Sequence, residues 1–573
     1  MVEFLRVLLL IAAGVALFGL GRLAWSGDPR MRMVVLAGFL GRAFVSQVLF
    51  WISFLSLPIA PSLQSGNGLW FYAVDAVFYS TEAGKAADGG LDAIAAIPVT
   101  SPSPTYQQAL AVFSLLFGHP VAVSLLLNLF CYLGACAIIV RWSATAPASR
   151  NAALVALAAI SLSPAGVLWS LQPLKDTFFQ FLIVAFFGAC VLWQRAWRAE
   201  RMGSQLLWAG AALVASHYLL SGVRWYVGGF VFGTAALFML LVPLTALRNR
   251  RWLATGAAMV LLLIISRTYL FAAGPYLPPA VSNVLRFRAA GTPIGSALLT
   301  TADRVRGGFE RTGGNTSFHP AQTRPVPEPA PPASVAVHTP PAPVQNVPPV
   351  KPEPVKPQPS VTPKPEPPAP ATASATPAPP PKPAPVPVNV AEKPVTPAPV
   401  PQPAAQPPAP QPAVVAEQAE QADLAPVAEA TRLQKLVAGA AAAALPRGIA
   451  TRLGLIHVGA GRHNLWWFVE LDTIFFDILV LLALGIVIAN ARGRVYRNPV
   501  FWLIVAVTVL NGLAVVYTVT NFGTLFRLRL MIFTTLTLIP LALLTAPAPA
   551  AARPAATRVL TPAPRLTPKE NEG

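Results

Sequence analysis

Long apolar runs constrain this chain more than any other feature of its sequence. A helix needs about 20 mostly apolar residues to cross the hydrocarbon core of a bilayer. The bilayer offers no partner to exposed backbone groups, so segments of this kind span it as helices. The sequence therefore predicts an all-α fold, a polytopic transmembrane bundle of about 11 helices. The runs that meet or nearly meet this length are Val2–Leu20, Met33–Ile59, Val121–Val140, Ala152–Leu171, Thr177–Trp193, Gln205–Ser221, Tyr226–Leu247, Trp252–Ala272, Thr473–Ile488, Val500–Val519 and Leu530–Thr545.

The basic residues of the short loops predict the orientation of these helices. One set of alternate loops, together with the C-terminal tail, contains 18 Lys and Arg residues, whereas the opposite short loops contain 5. Loops rich in Lys and Arg remain on the cytoplasmic side. We therefore expect a cytoplasmic C-terminus, with the N-terminus and the long loop Gly274–Asp472 on the outer side. Since the basic residues are spread over six inner segments, the net charge of +19 does not indicate nucleic-acid binding.

A proline-rich insertion interrupts the predicted bundle. Of the 61 prolines in the chain, 37 lie between Pro320 and Pro426. Proline fixes φ and removes the backbone donor, so we expect this segment to be an extended, disordered outer loop. It could be a passive insertion, a tether to a periplasmic protein or to the cell wall, or low-complexity sequence without a role.

Apolar runs and proline content together divide the chain into segments. The predicted segments are an N-terminal membrane bundle (1–272) with a first outer loop (60–108), an outer-face amphipathic segment (273–319), the proline-rich insertion (320–426), an outer-face helical segment (427–472), the C-terminal membrane spans (473–545) and a cytoplasmic tail (546–573).

Charged residues at the outer ends of the predicted helices are candidates for function. Charged residues of all kinds make up 11% of this chain, against about 25% of a soluble protein, and ionisable groups at membrane depth are costly. Cations can bind phosphate oxygens, and a carboxylate can act as general base towards a hydroxyl, which is the combination that a lipid-phosphosugar transferase requires. The five cations and three carboxylates predicted at this face are Asp75, Lys175, Asp176, Arg224, Arg267, Asp477, Arg527 and Arg529.

Simpler interpretations of these residues remain open at the level of sequence. Lys175 and Asp176 could form a solvated turn in which Asp176 caps the next helix. Arg527 and Arg529 could be anchors whose side chains extend to the membrane surface. Asp75 could be an ordinary acid of a surface loop.

Five segments occur in an order that resembles the bacterial integral-membrane glycosyltransferases of the GT-C type, the protein mannosyltransferase-like group. The segments are DAVFYSTEAGKAADGGL, YQQALAVFSLLFGHPVAVSLLLNLF, SLSPAGVLWSLQPLKDTFFQFLIV, VRWYVGGFVF and NFGTLFRLRLMIFTTLTLIPLAL. Members of that group use polyprenyl-phosphate sugars at an active site that faces the periplasm.

This resemblance implies a role for several residues. Asp75 would be the catalytic base, although Ala76 follows it where the group often has a second acid. We expect Asp176 and Asp477 to support the site. The residues expected to contact the substrate phosphate are Lys175, Arg224, Arg527 and Arg529.

The expected function is transfer of a sugar from a polyprenyl-phosphate carrier to a periplasmic acceptor, in envelope polysaccharide synthesis at a bacterial inner membrane. The alternatives are a polymerase of lipid-linked repeats, a transporter or flippase of a lipid-linked substrate, and a non-catalytic scaffold with a proline-rich arm. Expected partners are the bilayer and the lipid-linked sugar. Cys131, Cys136 and Cys190 lie in apolar runs without metal-ligand spacing, and no cofactor is indicated. A divalent metal is left open.

Overall fold

The computed structural model describes residues 2–144, 146–198, 203–247, 252–277, 318–320, 431–458, 466–490 and 498–545. The helices are α1 (Val2–Ala24), α2 (Pro29–Phe54), α3 (Val74–Asp88), α4 (Gly90–Ala95), α5 (Pro104–Phe117), α6 (Pro120–Ser143), α7 (Arg150–Leu162), α8 (Pro164–Ser170), α9 (Asp176–Arg198), α10 (Ser204–Val223), α11 (Trp225–Leu247), α12 (Trp252–Ala273), α13 (Arg432–Ala444), α14 (Arg447–Arg452), α15 (Trp466–Asn490), α16 (Pro499–Thr518) and α17 (Phe522–Leu544). Two short antiparallel pairs are formed by β1 (Gln64–Gly66) with β2 (Leu69–Trp70) and by β3 (Phe318–Pro320) with β4 (Ile456–Val458).

The predicted all-α polytopic bundle is confirmed. Within the described residues, nine helices are long and apolar enough to cross a membrane, and α7 with α8, which are bent by 50° against each other, count as a tenth span if the pair crosses as one. Each of the predicted apolar runs corresponds to one of these spans or to the apolar helix α11. The chain is therefore a multi-pass membrane protein.

Three helices form the centre of the bundle. In α6, α9 and α17, the buried share of the spanning segment is 78%, 83% and 78%, whereas it is only 11% in α1. Large side chains such as Tyr132, Phe179 and Phe186 are almost completely buried in this centre. Residues carried by α9 and α17 are consequently held by helices that pack on most of their surface.

Successive spans bring alternate loops to the two ends of the bundle. Near the end of α6, Trp142 donates a hydrogen bond from Nε1 to Thr545 Oγ1, which follows α17 (2.7 Å). At the other end, Arg527 of α17 contacts Asp75 of α3 and Asp176 of α9. We call this second end the site end.

The tenth span is broken next to Pro164, which cannot donate a backbone hydrogen bond to the preceding helix. The last carbonyls of α7 therefore need other donors. Arg42 of α2 supplies them, because its Nη1 donates to Ser161 O (2.8 Å) and its Nη2 donates to Ile160 O (2.6 Å). This buried cation also complements the partial negative charge at the end of a helix.

Two helices near the C-terminus begin earlier than the apolar runs predict. α15 begins at Trp466 and α17 begins at Phe522, whereas the runs begin at Thr473 and Leu530. The first turns contain charged residues, so a test for apolar length leaves them out. Charged residues that the sequence analysis assigns to the ends of loops consequently lie within helices.

The predicted helix before Pro446 is α13. It begins at a capping box in which Thr431 and Gln434 satisfy each other's backbone N–H groups. Gly439 brings its backbone against α16, because a Cβ at this position would overlap the carbonyl of Val516. The helix therefore packs on the bundle through its small residues.

Several predicted segments lie largely outside the described residues. They are the amphipathic segment 273–319, the proline-rich insertion 320–426 and the tail 546–573. The described part of the first two is the end of α12 with the short turn after it, and the strand β3.

Candidate functional site

Arg527 links two carboxylates at the site end. Its Nη1 donates to Asp75 Oδ2 and its Nε donates to Asp176 Oδ2, each at 2.5 Å. The other oxygen of Asp176, Oδ1, accepts from Arg224 Nη2 at 2.7 Å. Four residues predicted for the site, contributed by α3, α9, α17 and the junction of α10 with α11, thus form one row of alternating charge. We call Asp75, Arg527, Asp176 and Arg224 the charge row.

The charge row runs from the surface into the protein. Asp75 is 57% exposed and Arg527 14%, whereas Arg224 is 7% and Asp176 2% exposed. A buried carboxylate is stable only when it is paired and hydrogen-bonded, and Asp176 has an arginine on each of its oxygens. Asp176 is therefore not a residue of a solvated turn, and Asp75 is the accessible end of the row.

Lys175 lies beside the charge row. Its Nζ donates to Ser103 Oγ (2.5 Å) and lies 5.5 Å from the centre of the Tyr79 ring. Among the residues that the structure describes, no carboxylate lies within ion-pair distance of this ammonium group. Burial is the main cause that lowers the pKa of Lys175; Tyr79 opposes it, and the positive charges of Arg224 and Arg527 lower the pKa further.

Ser103 holds this part of the site in a strained turn. The residue has a positive φ of 59°, which is uncommon for any residue other than glycine. Its Oγ accepts from Lys175 and donates to Val223 O at 2.9 Å, next to the end of α10. Tyr79 and Tyr106 pack edge to face beside it, with ring centres 5.2 Å apart. The sequence analysis did not single out these hydroxyl groups, because serine and tyrosine carry no charge signal.

Arg529, a predicted phosphate contact, belongs to a second ion pair. Its Nη2 donates to Asp472 Oδ2 (3.1 Å) and its Nη1 donates to Thr473 Oγ1 (2.6 Å). The guanidinium also lies 4.4 Å from the centre of the Phe526 ring. Arg529 is only 2% exposed, so it is not an anchor at the membrane surface. The structure does not join it to the charge row.

Asp472 is a buried site residue that the sequence analysis missed. Its Oδ1 accepts from Ser163 Oγ and from the N–H of Ala165, both at 2.9 Å, at the start of α8. The broken span is therefore held on both sides, by Arg42 at the end of α7 and by Asp472 at the start of α8. The signal that could have found Asp472 is the tryptophan pair before it, which marks the start of α15.

The two remaining candidates lie apart from these contacts. Asp477 is on α15, partly buried, and Arg267 is exposed on α12. Within the described ranges, neither forms an ion pair. The same part of the chain has no group of three His, Cys, Asp or Glu side chains that could hold a metal ion.

Comparisons with protein-family models, with curated proteins and with solved structures found no match for the chain. Inferences about its function therefore depend on the chemistry of the charge row and of Lys175.

Proposed function

We propose that the chain is a membrane glycosyltransferase of a bacterial inner membrane. It transfers a sugar from a polyprenyl-phosphate carrier to an acceptor hydroxyl on the periplasmic side, in envelope polysaccharide synthesis. The observation that carries this proposal is the contact between Asp75, an exposed carboxylate, and Arg527, whose second contact is the buried Asp176. An accessible base is thereby fixed beside a cation at one end of a membrane bundle.

Asp75 has the properties of a general base for an acceptor hydroxyl. Arg527 holds Oδ2, whereas Oδ1 has no hydrogen-bond partner among the described residues. Asp75 takes the proton of the hydroxyl, the acceptor oxygen forms the new bond to the sugar carbon, and the carrier phosphate leaves with the electron pair of the broken bond. A positioned base of this kind contributes about 10²–10⁴-fold to a rate.

The charge balance of the site supports a phosphate leaving group. Lys175, Arg224 and Arg527 carry three positive charges, and Asp75 and Asp176 carry two negative charges. The cluster thus has an excess of one positive charge at low dielectric, where it stabilises a phosphate anion more strongly than it would in water. The surrounding bilayer accommodates the polyprenyl chain.

A transporter or flippase of the lipid-linked sugar is the second candidate function. The break between α7 and α8, with Arg42 and Asp472 on its two sides, favours it, since discontinuous spans occur at the substrate sites of transporters. The charge row, however, is at one end of the bundle and not along a path through it.

The Asp75→Asn variant tests the proposal. We expect sugar transfer from a polyprenyl-phosphate sugar in isolated membranes to fall by about 10²-fold or more, at unchanged abundance of the protein. Asp88→Asn is the matched control, because Asp88 is exposed at the other end of the same helix. Transfer by Asp75→Asn at the wild-type rate would remove the mechanism. A flippase would keep its lipid movement in this variant.

A further inference from the structure

We infer that Lys175, which Ser103 holds in place, is the subsite that contacts the phosphate directly, and that Arg224 is a positioning residue that acts through Asp176. The chemical class of the ligand is a phosphate oxyanion. That this phosphate belongs to a polyprenyl carrier rests on the proposed function, whereas the anion site itself rests on the contacts of Lys175.

The charge row is neutral by itself. Its two arginines and two aspartates alternate, and each arginine contacts Asp176. Arg224 also donates from Nη1 to the Tyr226 hydroxyl (3.0 Å), so each of its terminal nitrogens has a protein partner. Because Arg224 lies at the buried end of the row, where it is 7% exposed, these contacts make it a support for Asp176.

Lys175 is the cation whose charge the row does not balance. An ammonium group has three N–H donors; Ser103 Oγ accepts from one and the Tyr79 hydroxyl is a second neighbour, which leaves a donor for an anion. Holding a partly buried cation next to two arginines is costly, and an anion at Nζ removes that cost. A phosphate oxygen fits this position because it accepts charge-assisted hydrogen bonds.

Other donors of the same cluster also have no partner. Within the described residues, Arg527 Nη2 and the Tyr106 hydroxyl are buried without a hydrogen bond. Buried donors of this kind are rare in proteins and need an explanation. A phosphate has several acceptor oxygens, so it can contact Lys175 and still offer an oxygen to a second donor.

The position of Lys175 also suits a leaving group next to the base. Asp75 and Tyr79 are four residues apart on α3, so they lie on the same face, about 6 Å apart along the helix axis. Because Lys175 lies over the Tyr79 ring, it packs against the residue of α3 that is about one turn from the base.

The experiment measures binding separately from transfer. The purified full-length chain in lipid nanodiscs is titrated with undecaprenyl phosphate, and inorganic phosphate is used as a second probe. The variants are Lys175→Met, Lys175→Arg, Asp75→Asn and Lys85→Met. Lys85 is the matched control, because it is an exposed lysine of α3 whose partner is Glu82 (2.8 Å). Thermal melting of each variant is recorded so that binding is compared between folded proteins.

We expect Lys175→Met to weaken the binding of undecaprenyl phosphate by about tenfold or more. Lys175→Arg restores most of the affinity because it keeps the charge, and Lys85→Met binds as the wild type does. If the wild type also binds inorganic phosphate and Lys175→Met loses this binding, the site accepts phosphate in general. If the wild type binds only undecaprenyl phosphate, the site is specific for the carrier headgroup. Either result supports the subsite.

Two results would overturn the inference: wild-type affinity in a folded Lys175→Met variant, or an equal loss of affinity in Lys85→Met. Asp75→Asn separates this inference from the proposed function. If that variant transfers sugar at the wild-type rate while Lys175→Met loses binding, the subsite stands and the proposed base is wrong. If Asp75→Asn abolishes transfer while Lys175→Met binds normally, the base stands and the subsite is wrong.

Discussion

Arg527 Nε and Asp176 Oδ2 are 2.5 Å apart, although 351 residues separate them in the chain. This contact joins the start of α17 to the start of α9, which are two of the three central helices. Since Asp176 is also the partner of Arg224, one carboxylate compensates two cations. The site and the packing of the bundle therefore depend on the same residue.

Asp176→Asn should destabilise the protein strongly. The variant keeps the shape of the side chain but leaves the buried Arg224 without its counter-charge, and breaking a buried pair in this way costs about 3–5 kcal/mol. Unfolding in detergent by heat or denaturant measures the effect. Asp75→Asn is the comparison, because an exposed ion pair contributes about 0–1 kcal/mol. Equal stability of the two variants would contradict this account of the charge row.

Gly38 is required where α2 crosses the broken span. A Cβ added to it would lie 2.7 Å from Ser161 Cβ and 2.9 Å from Ser161 Cα, which is closer than such atoms can approach. We expect Gly38→Ala to destabilise the fold by about 1–3 kcal/mol, as overpacking does. In Gly41→Ala, one turn further along α2, the added Cβ has nothing within 4 Å, so its stability should be unchanged or slightly raised. Thermal melting of the two variants side by side checks the difference.

The pair of Arg529 and Asp472 should show a stability effect that depends on both residues. Arg529→Met leaves the Asp472 carboxylate buried without its cation, which costs about 3–5 kcal/mol. Adding Asp472→Asn removes that charge, while the amide oxygen can still accept from Ser163 and from the N–H of Ala165. We therefore expect the double variant to be more stable than Arg529→Met alone. Denaturant unfolding measures the free energy of unfolding of both variants. If the second substitution only adds to the loss of stability, the ion pair is not the cause.

The spans could be predicted from the sequence because the thickness of the hydrocarbon core of the bilayer fixes their length and because this core excludes most charged residues. The same reasoning fails at the ends of helices, where charges are allowed. Asp472 was assigned to the end of a loop for this reason, although it lies within α15 and is buried. The break at Pro164 was missed because the apolar run continues through it.

The different ion-pair partners of Arg527 and Arg529 could not be predicted from the sequence. The two residues are separated by one position, and in a helix this places them about 200° apart around the axis. One therefore reaches Asp176, and the other reaches Asp472. The sequence predicts both arginines as cations at the outer end of the last span. Which carboxylate each one contacts depends on where α17 begins and on how it packs.

Binding of phosphate should weaken with rising pH, and at a lower pH than the ordinary pKa of a lysine would give. The groups around the Lys175 ammonium are Tyr79 of α3, Ser103 before α5, and Arg224 and Arg527. Because burial lowers the pKa of Lys175, its proton is lost at a lower pH than in a free lysine. A bound phosphate stabilises the charged form and raises this pKa, so binding is strongest while the ammonium is protonated and declines as the pH passes the pKa of the empty site.

The Lys175→Arg variant is the control for this pH dependence of phosphate binding. A guanidinium stays charged through the whole alkaline range, so the affinity of this variant for undecaprenyl phosphate should change little with pH. Titrations in nanodiscs from neutral to alkaline pH compare the two proteins. The expected result is a steeper loss of affinity in the wild type. If the affinity of the two proteins changes with pH in the same way, phosphate binding does not depend on the charge of Lys175. Replacing a lysine that loses its proton by a permanently charged arginine would otherwise change the pH profile.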